Sequence, residues 1–288
     1  MISIIKLISR LPLPVLHLLS FKLYILMYYL IGYRKKVVLS NLRNSFPDKS
    51  EKEIQAIAKK FYFRFADYIV ETLKGITISK QELTKRVKVK NFEVIEPYIA
   101  DKQTIIFLVS HQFNWEWTLL FNSIIMPVQV DGLYKKLSHP AFEKLILEAR
   151  GRFGAHMIEK DSSVREIVRR KSIQRVIAIV ADQIPILHSP AEKYWTTFMK
   201  QDTAFYAGGE RIAKMIKAPV FFLNITAPKR GYYDIEFVHL VDPPYDKKGH
   251  EILESYVKAT EKLIHKEPEG WLWTHKRWKY SQEEDRNR

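Results

Sequence analysis

Residues 104–117, TIIFLVSHQFNWEW, constrain the fold more than any other stretch: an unbroken run of β-branched and apolar side chains leads directly into a segment with one histidine and one carboxylate. Such a run reads as a strand buried on both faces. Strands of that kind belong to parallel sheets covered by helices. His111 then falls at the strand's carboxyl end and Asn114 opens the following helix as its N-cap. Both lie at the crevice where open α/β sheets hold their ligands. Five residues apart on one helix, His111 and Glu116 would diverge by about 140°. Across a strand-to-helix turn they can meet.

A neutral imidazole with a carboxylate on its second nitrogen is suited to proton abstraction, because the carboxylate fixes the tautomer and stabilises the imidazolium. The plainer alternative is a histidine hydrogen-bonded to backbone at a strand end. Ser110 beside His111 suggests a nucleophile and its base, yet neighbours on a strand point to opposite faces. No G-x-S-x-G elbow surrounds it either.

The rest of the chain repeats the strand–helix rhythm. Strands are expected at 104–110, 126–131, 175–181, 219–225 and 232–238, and helices near 114–124, 139–153, 162–171, 203–217 and 247–266. This alternation predicts an α/β fold with a mostly parallel central sheet flanked by helices. Before it, helical periodicity covers 37–46 and again 50–75, the latter opening on a Ser50-x-x-Glu53 capping box. Asp182-Gln183 ends the apolar strand RVIAIVAD, at the same crevice as His111. Arg150 and Arg152 close a charged helix, and the tail PEGWLWTHKRWKY interleaves tryptophans with cations. That tail is a lipid- or phosphate-facing surface, or a segment packed on the core.

Residues 1–33 are apolar almost throughout, with the Leu11-Pro12-Leu13-Pro14 run separating a short helix from a longer one. The second approaches the roughly 20 residues needed to span a bilayer. Lys22 near its centre costs about 3 kcal/mol on insertion scales, so an interfacial anchor competes with a full span. A cleaved signal fits poorly, since no small-residue cleavage site comes after the apolar stretch. Arg34-Lys35-Lys36, next in the chain, favours a cytoplasmic location for the residues beyond it. The expected organisation is a helical membrane anchor at 1–33 and one α/β domain at 34–288, since no Gly/Ser or Pro linker divides the remainder.

The formal charge of +15 implies an anionic partner: nucleic acid, an acidic membrane, or an acidic protein or substrate. Absence of cysteine excludes disulfides and thiolate chemistry. No metal or cofactor is expected, because the nine histidines are scattered and neither a P-loop nor a G-x-G-x-x-G is present.

These pieces together resemble the lipid A late acyltransferases of the lysophospholipid acyltransferase superfamily. NLRNSFP at 41–47, HQFNWE at 111–116, YKKLSHPAFEKLILEAR at 134–150, Asp182-Gln183 and PEGWLWTHKRWK at 268–279 occur in the family's order. The resemblance implies a glycerol-3-phosphate acyltransferase-like fold. It also implies transfer of an acyl group from acyl carrier protein to a hydroxyl of a lipid A precursor, at the cytoplasmic face of a bacterial inner membrane. In that picture His111 takes the acceptor's proton, Glu116 orients His111, and the alcohol attacks the thioester with no acyl-enzyme. Asn114, Lys135, Arg150, Asp182 and Gln183 fall at substrate-binding positions, with Arg150 able to balance a phosphate or the developing oxyanion. The family pattern has glycine where this chain has Phe113, and often arginine and asparagine where it has Lys135 and His139. A phenylalanine is expected to change the local turn, and a lysine loses the bidentate fork of arginine. An apolar trough for the acyl chain is expected along Leu119, Leu120, Phe121 and Ile124.

Two other readings stay open. The acceptor is another glycolipid, an aminolipid or a lysophospholipid; or the chain is a basic nucleic-acid- or membrane-binding protein without catalysis. Against nucleic acid, the basic residues are spread along the chain and not gathered on one element.

Overall fold

The computed structural model describes residues 2–187 and 193–286. Its helices are α1 (Ile2–Ser9), α2 (Leu13–Ile25), α3 (Lys35–Ser45), α4 (Glu51–Gly75), α5 (Lys80–Arg86), α6 (Glu96–Ala100), α7 (Trp115–Ile125), α8 (Pro140–Gly151), α9 (Ser163–Arg169), α10 (Gly208–Ile216), α11 (Glu251–Lys266) and α12 (Gln282–Arg286). The strands are β1 (Val87–Val89), β2 (Ile105–Val109), β3 (Gln129–Tyr134), β4 (His156–Glu159), β5 (Arg175–Val180), β6 (Lys193–Phe198), β7 (Gln201–Tyr206), β8 (Val220–Lys229) and β9 (Tyr232–Val241).

A seven-stranded sheet of order β1-β9-β8-β2-β5-β3-β4 forms the centre. Every neighbouring pair is parallel except the β8–β9 hairpin. The mostly parallel α/β architecture anticipated from the sequence is therefore present. At its middle, β2 is buried at all five positions. Alternate side chains serve two cores: Ile106 and Leu108 join Ile177 and helices α4, α10 and α11 on one face, while Phe107 and Val109 join Val176 and helix α7 on the other. Each such side chain contributes roughly 1.5–3 kcal/mol on burial.

Periodicity located the long helices well, because burial on one face decides them. Ser50 caps α4 by accepting from Glu53 N, and the Glu53 carboxylate accepts from Ser50 N, which completes the capping box. The proline run ends α1 and seats Pro14 in the first turn of α2. Residues 203–206, expected to begin a helix, instead belong to the antiparallel strand β7 paired with β6, and the helix starts only at Gly208. The strand expected at 126–131 starts at Gln129, because Met126 is still closing α7.

Helix α2 continues into a π-helical turn, Leu26–Leu30, and the segment Leu13–Leu30 is long and apolar enough to cross a membrane by length and composition. One side of α2 is tied to α4 by polar bonds. Ser20 donates to Asp67 at 2.5 Å and Arg230 forks onto the same carboxylate, at 2.9 and 2.6 Å.

Candidate active site

The site is built by strand register. Strands β2 and β5 are parallel neighbours with Val109 opposite Val180, and Ala181 N donates to Val109 O. Two residues beyond the paired positions, His111 and Asp182 therefore leave the same edge side by side. Asp182 Oδ1 lies 2.5 Å from His111 Nδ1, and Asp182 Oδ2 accepts from the His111 backbone N at 2.9 Å and from the Trp271 indole Nε1 at 2.7 Å.

Burial alone would raise the Asp182 carboxyl; its electrostatic attraction to the His111 ring and these hydrogen bonds outweigh it and hold the group at about 2. The carboxylate fixes the proton on Nδ1 and leaves the Nε2 lone pair turned outward. The Gln183 amide Nε2 sits 3.2 Å from it as a donor. Trp115 meets the imidazole edge-on at 4.7 Å between centroids.

The carboxylate on His111 thus belongs to Asp182, which overturns the expectation that Glu116 orients the imidazole. The physical reason is local. Asn114 Oδ1 caps Trp117 N at 3.0 Å, so Glu116 falls in the first turn of α7 and turns toward α8. There Arg150 clamps it in a bidentate pair, Nε to Oε2 at 2.9 Å and Nη2 to Oε1 at 2.6 Å. Burial would lower the Arg150 guanidinium, but Glu116 outweighs it and keeps the group above its ordinary value.

His111, Glu116, Lys135, Arg150 and Gln183 all line one cavity of about 730 Å³ at the carboxyl edge of the sheet. Asp182 and Asn114, placed by the sequence among substrate contacts, are not on its wall. Asp182 is buried behind the histidine, and Asn114 is fully buried and donates to Glu71 at 3.0 Å. Both act on the scaffold of the site. Ser110 is also buried and off the cavity wall, which leaves a serine nucleophile without access.

From the polar mouth the cavity runs over Leu119, Phe107, Val130, Gly132 and Leu223, all apolar. Helix α7 presents Thr118, Leu119 and Asn122 to it, three and four residues apart on one face. Of the apolar positions anticipated on α7 only Leu119 is on the wall, because Leu120 and Phe121 turn into the core behind.

Phe113 adopts φ +47°. The left-handed turn that a glycine would take is therefore kept, against the expectation that phenylalanine would alter it. The ring is buried, 6.3 Å from Tyr233, and Phe113 N donates to Gly270 O at 2.8 Å. A side chain at 270 would meet the Phe113 ring at 2.6 Å, so this crossing requires glycine. Trp271 and Trp273 of the C-terminal segment are buried in the core, so the packed reading of that tail holds for them. Trp271, as a donor to Asp182, is a member of the site that sequence reasoning left unassigned. Its one local signal was a tryptophan directly after a glycine, in a tail that interleaves tryptophans with cations.

A mostly parallel sheet with a histidine at its carboxyl edge, opening on an apolar trough, is the form of an α/β acyltransferase. Residues 1–280 match the family described as bacterial lipid A biosynthesis acyltransferase, and the chain belongs to that family. Similar proteins include the lipid A biosynthesis lauroyltransferase of Escherichia coli K12, 24% identical over 96% of this chain and 90% of that protein. The lipid A biosynthesis myristoyltransferase of the same strain and lipid A biosynthesis acyltransferase 1 of Shigella flexneri are each 23% identical, over 83% of this chain and 73% of theirs.

Proposed function

We propose that the protein transfers a fatty acyl group from acyl carrier protein to a hydroxyl of a lipid A precursor, with His111 as general base and no acyl-enzyme. The observation that carries this reading is the outward Nε2 of His111 at the mouth of an apolar cavity, backed on Nδ1 by Asp182. The acceptor hydroxyl takes the place beside Nε2 that the Gln183 amide now holds. As its oxygen attacks the thioester carbonyl its proton passes to Nε2, giving a tetrahedral oxyanion and an imidazolium stabilised by Asp182. Collapse breaks the C–S bond, and the imidazolium returns the proton to the departing thiolate. The donor chain lies along Leu119, Val130 and Gly132, while Arg150, oriented by Glu116, supplies positive charge for the oxyanion or a phosphate of the acceptor.

The protein works at a lipid surface. Leu7, Leu18, Leu30 and Ile31 are 61–74% exposed on α1, α2 and the turn after it, and the neighbouring Tyr29 and Tyr33 are exposed as well. The opposite side of α2 is bonded to α4, which suits a helix lying in the interface of an anionic membrane, at the cytoplasmic face of the inner membrane. Acyl carrier protein and anionic lipid both suit a net charge of +15.

The test incubates the purified full chain with acyl-loaded acyl carrier protein and a lipid A precursor and weighs the lipid. The expected product is heavier by one acyl chain, and His111→Ala abolishes it. Near-wild-type transfer by His111→Ala would refute the base assignment, and transfer to a lysophospholipid but not to the saccharolipid would replace the acceptor.

A further inference from the structure

The lipid-facing helix and the catalytic turn share one buried carboxylate. Glu71, near the end of α4, is completely buried. Its Oε1 pairs with His17 Nε2 of α2 at 2.9 Å. Its Oε2 accepts from Asn114 Nδ2 at 3.0 Å and from the Tyr233 hydroxyl, and its backbone O accepts from the Trp117 indole at 2.8 Å. Burial first, and then the Glu71 charge, raise the Tyr233 hydroxyl well above its ordinary range, so it enters the group as a donor.

Asn114 is the N-cap that starts α7, and its position fixes both the turn descending from His111 and the first helical turn bearing Trp115 and Glu116. On the opposite side His17 belongs to a helix whose outer face carries the exposed Leu18 and Phe21. A carboxylate taken fully out of water persists only when hydrogen bonds satisfy it, and removing one partner of such a group leaves the rest uncompensated. Helix α2 therefore does more than hold the protein at a surface.

We infer that Glu71 is a positioning residue for the acyl transfer proposed above, and that through His17 it makes helix α2 a working part of the active site. The chain is Leu18 face, His17, Glu71, Asn114, then the His111–Glu116 turn. None of the residues between the ends touches substrate. Their effect is to keep Nε2 and the Glu116–Arg150 pair in register, and displacement of reacting groups by an ångström costs up to about a hundredfold in rate.

The experiment compares full-length wild type with Glu71→Gln, His17→Gln and His17→Phe in detergent micelles, where membrane anchoring plays no part. His17→Gln keeps a donor to Glu71 and His17→Phe removes it. Two assays are run: hydrogen exchange of amides 111–118, and steady-state kinetics giving kcat and KM for acyl transfer at saturating donor. Glu71→Gln and His17→Phe are expected to speed exchange across 114–118 and to lower kcat about tenfold with KM little changed; His17→Gln restores both. Equal exchange and equal kcat in His17→Phe and His17→Gln would overturn the inference, and this pair decides the matter even if Glu71→Gln fails to fold. The exchange measurement needs no turnover. A protein with no acyltransferase activity would therefore sink the proposed function while this inference was still decided by the amides.

Discussion

The imidazole of His111 and the carboxylate of Asp182, 71 residues apart in the chain, are joined at 2.5 Å because their strands lie side by side in parallel with Val109 opposite Val180. Glu116, only five residues from His111, is engaged by Arg150 instead. The two carboxylates therefore carry different roles and respond differently to neutralisation. Asp182→Asn is expected to lower acyl transfer by about 10³- to 10⁴-fold, because an amide facing Nδ1 selects the wrong tautomer. Glu116→Gln leaves His111 correctly held and lowers it by only about tenfold, through a loosened Arg150. Side-by-side turnover of the two variants checks this, and a larger loss for Glu116→Gln would return the orienting role to that residue.

This division was only half legible in the sequence. The apolar runs of β2 and β5 announced two buried strands and placed His111 and Asp182 at their ends. Nothing local said that the strands are neighbours, and proximity along the chain favoured Glu116. The short strands β4, HMIE, and β6, KYWTTF, mix polar and apolar residues on a sheet edge and in a two-stranded hairpin, so no run or alternation marks them. The capping box of α4 and the apolar face of α7 were local signals, and they located those helices closely.

Acid stability should bend in two separate windows. Asp182, held at about 2 against an ordinary value of 3.8, contributes stability that is complete above pH 4 and is lost as pH falls through 2. His275 is the reverse in chemistry but not in sign: burial first lowers it to about 4, so it folds uncharged, and stability falls between pH 6.5 and 4 as the unfolded chain takes up a proton that the folded one does not. Denaturant melts across pH 2–7 are expected to show both slopes. His275→Gln removes the upper one and Asp182→Asn the lower; an unchanged upper slope in His275→Gln would assign it to another group.

Phe113 holds a left-handed backbone and a buried ring together, and the two effects oppose each other. Phe113→Ala loses the ring and keeps the strain, costing about 3–5 kcal/mol. Phe113→Gly loses the same ring but relieves about 1–2 kcal/mol of backbone strain, so it should be the more stable of the two. Equilibrium unfolding of both variants checks an order opposite to that found in ordinary helices and strands.

Membrane attachment should depend on the outer face of α2 and of the π-helical turn after it, and not on the bonded side. Leu18 and Leu30 are 61% and 74% exposed, so replacing both by aspartate removes little internal packing. Each loses roughly 1.5–3 kcal/mol of apolar burial in lipid. Partitioning onto anionic vesicles, measured by cosedimentation, is expected to fall by on the order of a hundredfold while the melting temperature stays near that of wild type. Undiminished vesicle binding would move the lipid contact away from α2.

The depth of the trough should be adjustable at Gly132, whose missing side chain leaves space between β3 and α7. A Cβ there would lie 3.0 Å from Met157 Cε and 3.4 Å from Leu119 Cδ1. The end of a methionine can yield by a few tenths of an ångström, so Gly132→Ala should fold. What it takes away is width where Leu119, Val130 and Leu223 already wall the cavity. A long acyl chain then has to displace Met157 further, whereas a chain several carbons shorter never reaches it. Competition between acyl thioesters of different length, read by mass spectrometry of the product lipid, is expected to shift about tenfold toward the shorter donor, within the range that one or two methylenes contribute in an apolar site. An unchanged preference in a folded Gly132→Ala protein would place the donor chain elsewhere in the cavity, on the side of Ile179 and Ile212.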